Sequence, residues 1–402
     1  MGFHDFRAAG HVHPVFRTVG AVEWDQAAAA TYAANFSAEA GGVDYIHAGD
    51  ISDYNPVDLG EKVDVVLGGP PCQGFSALNK NNLTDIKDPR NRLWREYARI
   101  VNLLKPKLFV IENVDRFLKS PEFFLLESAT KSPGGLLRDY KLTDARVLNS
   151  ADYGVPQARR RAIVLGTRRD VVMNHPDRSV IDYPAATHAK ISRLSSLRSS
   201  DALPYPDIEA RLPWQTVESI FKRTSPEADG TGLPEIKCAP LGEVLPGAYR
   251  TYELHVGRNP TEISKRRYEK IPEGGNRDDL LDYPELTTDS WRRHTKGSGD
   301  VMGRLHIDRP SVTIRTEFYK PEKGRYLHPT AHRPITHLEA ALIQGFPEDY
   351  LWCGSKVKIA RQIGNAVPVG LATALAGSVY EYLAAVGAVS RRQASGDGPT
   401  PA

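Results

Sequence analysis

A chain of 402 residues, 41% hydrophobic and 25% charged, is long enough to bury a large core and is expected to form two domains. The composition argues against a membrane protein and a disulfide scaffold. No apolar stretch approaches the ~20 residues that span a bilayer, and three widely spaced cysteines (Cys72, Cys238, Cys353) make neither a zinc pattern nor a disulfide framework. A net charge of +3 is weak support for a polyanionic partner, so nucleic-acid binding has to be argued from motifs and local clusters.

Along the chain, Val19–Glu23 reads as a strand, followed by an alanine-rich helix from about Gln26 to Asn35 and a strand end at Tyr45–Ile51. Val63–Gly69 reads as a short buried strand that runs into Pro70-Pro71-Cys72-Gln73-Gly74-Phe75-Ser76. A cysteine at the carboxyl end of a strand, in a Gly- and Pro-rich turn, sits where open α/β sheets place their chemistry. A small apolar side chain closing a core fits the same position. A polar loop follows from Ala77 to Arg90. Leu93, Trp94, Tyr97, Ile100, Val101 and Leu104 then recur at the spacing of one helical face, and Pro106 stops that helix.

Leu108–Ile111 and Ala162–Leu165 are further strands. The first runs into Glu112-Asn113-Val114, and the second is preceded by Gln157-Ala158-Arg159-Arg160-Arg161. On an extended segment Arg159 and Arg161 share one face and Arg160 takes the other. Alternating strands and helices imply an α/β fold with a mainly parallel sheet. The periodic pattern then gives way to a stretch rich in Pro, Ser, Gly and charge, and the expected units are 1–185, 186–310 and 311–386, with a disordered tail at 387–402. Residues 190–309 hold 19 Lys+Arg and 19 Asp+Glu, so the middle unit is not basic overall. Its basic residues cluster locally, at Arg258 with Lys265-Arg266-Arg267 and at Arg292-Arg293-His294-Lys296. Such clusters are solvated faces or phosphate sites.

The Pro-Cys-Gln turn, the Glu-Asn-Val strand end, Gln157–Arg161 and Gln362-Ile363-Gly364-Asn365-Ala366-Val367-Pro368 occur in this order over nearly the whole chain. Together they resemble the DNA cytosine-5 methyltransferase family of bacterial restriction–modification type. The resemblance implies a Rossmann-like domain that uses S-adenosylmethionine, with residues 186–310 as a target-recognition domain. It implies that the target base leaves the duplex, that Ala77–Arg90 closes over it, and that the helix after Pro368 returns to the large domain with Leu371, Leu375 and Val379 buried. Duplex DNA is the expected partner, with a cognate endonuclease as a candidate second one. A monomer in the cytoplasm, associated with the nucleoid and not with a membrane, is expected.

The chemistry explains the residue types. Cytosine carbon 5 is a poor nucleophile until a thiolate adds at carbon 6, and Cys72 is the expected nucleophile. Glu112 can protonate ring nitrogen 3 if burial raises its pKa. By resemblance Arg161 contacts the base and Arg159 orients the site, completing the catalytic set. Glu23 is expected to accept the ribose hydroxyls and Trp24 to lie against adenine. Asp50 with Ile51 would meet the adenine amine beside Pro70, and Asn365 and Val367 the amino-acid end of the cofactor. Gln73, Ser76, Arg258, Arg266 and Arg292 are the expected DNA contacts.

Two departures from the family pattern stand out. No Gly-rich cofactor loop precedes Val19, so either the start lies upstream of Met1 or the chain binds cofactor poorly. Leu338 stands where the family often carries arginine, which puts one salt bridge in question. The rival readings are a tRNA cytosine-5 methyltransferase, a catalytically impaired DNA-binding relative and, more distantly, a nicotinamide-dependent oxidoreductase lacking its fingerprint.

Overall fold

The computed structural model describes residues 1–70, 92–175, 180–190, 211–293 and 299–388. Strand β1 (Ala21–Val22), helix α1 (Gln26–Ala40) and strand β2 (Ile46–His47) come first, with β1 and β2 parallel. Asp25 caps α1 by accepting from Ala27 and Ala28, and Gly41, in the left-handed region, ends it. The helix runs five residues beyond the expected Asn35 because Phe36 still has a core to pack against.

The main sheet contains β3 (Val65–Gly68), β4 (Leu108–Val114), β5 (Tyr140–Leu142), β6 (Arg146–Asn149) and β7 (Arg160–Arg168). Its order is β3-β4-β7-β5, with β6 also on β7. Only β3 and β4 are parallel in this sheet, since β7 runs antiparallel to β4, β5 and β6. The expectation of a mainly parallel sheet is corrected here. The link from β6 to β7 is too short for a helical crossover, so the chain must reverse.

Alternation along β4 and β7 assigns their faces. Leu108, Val110, Ile163 and Leu165 pack with Leu371, Leu375 and Val379. Phe109, Ile111, Ala162 and Val164 pack with Tyr97, Ala98 and Val101 of α2 (Arg92–Leu104) and with Phe123 and Leu126 of α3 (Pro121–Lys131). The Tyr97 hydroxyl donates to Val66 and Val110 carbonyls, joining β3 to β4. Its ring lies so close to Gly68 that a side chain there would clash. Helix α4 (Arg169–Asn174) follows the sheet.

The middle of the chain is built from short pieces. They are β8 (His188–Ala189), β9 (Leu212–Pro213), α5 (Glu218–Phe221), β10 (Lys237–Cys238), β11 (Leu245–Pro246), β12 (Tyr249–Arg250), α6 (Glu262–Lys270) and α7 (Asp289–Arg293). Then come α8 (His337–Ile343), β13 (Leu351–Trp352), α9 (Lys356–Asn365) and α10 (Val369–Ala385). One apolar core crosses the boundary anticipated at residue 310. Val217, Ile220, Tyr249, Leu254 and Leu305 share it with Ile314, Leu338, Ile359 and Ile363. A smaller cluster holds Tyr268, Ile271, Leu280, Leu286, Met302 and Leu327. Helix α10 returns to the main sheet as the pattern after Pro368 predicts. Among the described residues no single helix is long and apolar enough to cross a membrane.

Candidate active site

The carboxyl end of β4 carries Glu112, opposite Ile163 of β7, and two residues on Val114 faces Arg161. This register brings Arg161 Nε within 2.8 Å of Glu112 Oε1, with both side chains mostly shielded from water. Burial pushes the Glu112 pKa up, while Arg161 and then Arg159 pull it back. Asn113 donates to the Pro70 carbonyl at 2.9 Å, which fixes the exit of β3 beside Glu112. Arg160 faces outward, 3.9 Å from Asp115. Cys72, Gln73, Ser76 and the Ala77–Arg90 loop lie outside the described residues.

Arg159, expected in the catalytic set as the residue that orients the site, lies deep in the fold. It is 2% exposed, and its guanidinium donates to the carbonyls of Ile314 and Gly364, both at 2.8 Å. Those donors join the chain before Thr316 to the end of α9. Gly364 permits this close approach, because a side chain there would meet the Thr316 nitrogen at 2.4 Å. Arg159 therefore positions the backbone around the site, and its effect on Glu112 is electrostatic.

The carboxyl ends of β1 and β2 lie side by side, with Val22 opposite His47, and carry the expected cofactor residues. Glu23 accepts the Asp25 amide at 2.9 Å, and the surrounding protein raises its pKa although the residue keeps an exposed side. Trp24 is 70% exposed. Asp50 accepts the Ser52 amide at 2.9 Å and its hydroxyl at 2.8 Å. The Ile51 carbonyl accepts from Arg99 of α2 at 2.8 Å. Pro70 is half-buried, Asn365 is exposed at the end of α9, and Val367 packs against the sheet core. An uncovered indole next to a carboxylate fits an adenine–ribose group.

Residues 1–18 form no strand. Phe3 packs on Phe16, Phe6 on Tyr380 of α10, and Gly2 lies against Ala372 and Thr373. Among the described residues β1 pairs only with β2, and β3 only with β4.

The three basic residues expected to meet DNA each face a carboxylate. Arg258 lies 3.4 Å from Glu322, Arg266 3.3 Å from Glu285, and Arg292 2.6 Å from Asp289. These are surface pairs that phosphate can displace at low cost. Beside Leu338, which is itself buried and apolar, the neighbouring Glu339 has a cation partner from elsewhere. Arg333 donates to both oxygens of the buried Glu339, at 2.7 and 2.9 Å, and Glu339 completes a capping box with Thr336.

Sequence reasoning missed Gln344. It is fully buried and accepts from the equally buried Gln157 at 2.7 Å. Its signal was a lone amide within the apolar run from Ala340 to Phe346.

A buried acid paired with an arginine on two central strands of the main sheet, and a separate parallel strand pair whose ends bear carboxylates and an open indole, fit a Rossmann-like group-transfer enzyme. The chain belongs to the C-5 cytosine-specific DNA methylase family, whose model matches residues 2–381, and so is an enzyme that methylates cytosine carbon 5 in DNA. The Type II methyltransferase M1.HphI of Haemophilus parahaemolyticus is 31% identical over 322 residues, 80% of this chain and 69% of that protein. The Type II methyltransferase M.DdeI of Desulfomicrobium norvegicum is 28% identical over 412 aligned positions, 94% of this chain and 86% of that protein. The fold matches that of a DNA modification methyltransferase encoded in an E. coli prophage, with a TM-score of 0.60 at 22% identity over 91% of this chain and 92% of the other.

Proposed function

We propose that this chain transfers a methyl group from S-adenosylmethionine to carbon 5 of a cytosine flipped out of a specific duplex DNA sequence, through a covalent bond from Cys72. The observation that carries the reading is the buried Glu112–Arg161 pair beside the strand exit that Asn113 holds at Pro70. Flipping by methyltransferases is a general solution to reaching a stacked base.

Cys72, as thiolate, adds to carbon 6. Glu112 gives a proton to ring nitrogen 3, so that negative charge does not build on the ring and carbon 5 becomes enamine-like. Arg161 holds the Glu112 carboxyl in place and offers its remaining donors to the cytosine carbonyl oxygen. Bound S-adenosylmethionine supplies an electrophilic methyl group. Loss of the carbon 5 proton to a base then expels Cys72 as thiolate, and return of the nitrogen 3 proton to Glu112 leaves the neutral aromatic ring. Glu23, Trp24, Asp50, Ile51, Pro70, Asn365 and Val367 are the residues that would hold the cofactor.

Residues 186–310 are proposed to carry sequence recognition, with Gln73, Ser76, Arg258, Arg266 and Arg292 contacting DNA. The Type II names of the relatives support a cognate endonuclease acting on the same site. Duplex DNA containing 5-fluorocytosine tests the mechanism: it should give a denaturation-resistant adduct that Cys72→Ser does not form. An adduct in the Ser variant would remove Cys72 from its role. Residues 1–18, packed on α10, favour a second reading, a DNA-binding relative with impaired cofactor affinity. Calorimetry with S-adenosylmethionine separates the two.

A further inference from the structure

Four segments meet in a buried polar knot behind the candidate active site. They are 156–159 leading into β7, the stretch 311–316, the end of α8 at Gln344, and the end of α9 with the turn to Val367. Gln157 and Gln344 are fully buried at its centre. The Ile314 amide donates to Gln157 Oε1 at 2.9 Å, and Gln157 Nε2 donates to Gln344 Oε1 at 2.7 Å. Gln344 Nε2 in turn donates to the carbonyls of Ile363 and Ala366. The amide orientations are forced at both ends. A backbone N–H demands an oxygen from Gln157, and two carbonyls demand a nitrogen from Gln344. The Gln344 carbonyl also accepts from the Val369 amide at 3.0 Å, so this residue grips the 363–369 turn from both sides.

We propose that Gln157 and Gln344 are positioning residues whose amide relay sets the Asn365–Val367 turn relative to the strand bearing Arg161, so that the cofactor wall and the base-binding edge move as one unit. The inference rests on the proposed assignment of Asn365 and Val367 to the cofactor. Gln157 is four residues from Arg161 and belongs to the base side, yet through Gln344 its side chain reaches the turn. A purely local role would leave that turn unaffected.

The test uses the full chain with Gln157→Met, Gln344→Met, the double variant and Gln157→Glu. The glutamate keeps the acceptor for Ile314 and the side-chain shape but turns an acceptor oxygen toward the Gln344 oxygen, so it breaks the relay without the space change of methionine. Amide hydrogen exchange at Ile363–Val367 reports the turn directly, without cofactor or turnover. Exchange there should rise roughly tenfold in each single variant, about the loss of one buried hydrogen bond. The double variant should be no worse than either single one, because the relay is already broken. S-adenosylmethionine affinity should fall in parallel, with a smaller change in KM for DNA. Unchanged exchange at 363–367 in the variants that fold, or single effects that multiply in the double, would overturn the relay. Asn365→Ala is the separate control. If it leaves cofactor affinity intact, the assignment of the turn to the cofactor fails, whatever the exchange data say of the relay.

Discussion

Arg161 and Glu112 face each other across adjacent antiparallel strands, Nε to Oε1 at 2.8 Å. The pair joins a cation that favours the carboxylate to a burial that favours the acid. Burial is the larger effect, so Glu112 keeps its proton to higher pH than an ordinary glutamate. Three further buried or displaced groups also yield measurable consequences.

A general acid must be protonated to act, so activity should fall as pH rises through the raised pKa of Glu112. Glu112→Gln keeps the shape but cannot deliver a proton. It should lower kcat by about 10²–10⁴ and abolish that alkaline limb, with little change in KM for DNA. Arg161→Gln removes the group that lowers the Glu112 pKa most, so the limb should move to higher pH. A full pH–rate profile of both variants decides. Native kcat in Glu112→Gln would rule the acid out.

Arg159→Lys separates positioning from base contact. One ammonium cannot reach both the Ile314 and Gly364 carbonyls, so at least one charge-assisted bond is lost, about 1.5–3 kcal/mol. Urea melts should show a loss of that size while KM for DNA stays close to native. A large rise in KM for DNA at unchanged stability would mean that Arg159 contacts the base and does not position the backbone.

His328 and His337 are buried, and burial lowers the pKa of each to about 4. The neutral form is favoured in the fold, so stability is complete above the unfolded value and drops as pH falls from ~6.5 toward 4. Each histidine contributes a loss of about 3 kcal/mol over that window. Chemical denaturation at pH 7.5 and pH 5 should show it, and His337→Gln should flatten the acid side. An equally steep acid loss in that variant would mean that other groups control it.

Residues 1–18 lie on α10 and supply no strand or Gly-rich loop beside β1. A version of the chain given such a strand and loop would gain two charge-assisted bonds to the methionine carboxylate and should bind S-adenosylmethionine roughly a hundredfold or more tightly than the 402 residues alone. DNA binding should be unaffected, which gel shifts can check. Micromolar affinity in the unaltered chain would show that Met1–Thr18 already does the work of the loop.

The elements most legible in the sequence were those where periodicity and burial agree. Tyr97 and Val101 of the expected helix face pack on the sheet with Trp94 partly buried beside them, and Leu371, Leu375 and Val379 pack on its other face. Sheet direction was not legible, because a short buried run such as Ala162–Leu165 looks alike in parallel and antiparallel pairing. Glu112 and Arg161 could be placed at strand ends, yet their contact depends on a register that no local pattern encodes. That Arg159 orients the site was expected, but the backbone it holds was not visible locally. Its carbonyl partners lie 155 and 205 residues further along the chain. The basic clusters showed their cations but hid the carboxylates of Glu285 and Glu322, which come from distant turns.

Helix α1 depends on residues made very late. Asn35 exchanges two hydrogen bonds with the backbone of Leu351, 316 positions away, and Asp25 pairs with Lys358. An alanine-rich helix of 15 residues is marginal in water without its packing partners. During synthesis it therefore leaves the ribosome long before the surface that holds it exists. Closing so long a loop makes assembly of this edge a slow, final step. A nascent chain cut short before β13 would lack both the surface that holds α1 and the helix α10 that covers one face of the main sheet, so the fold closes only with the last fifty residues or so.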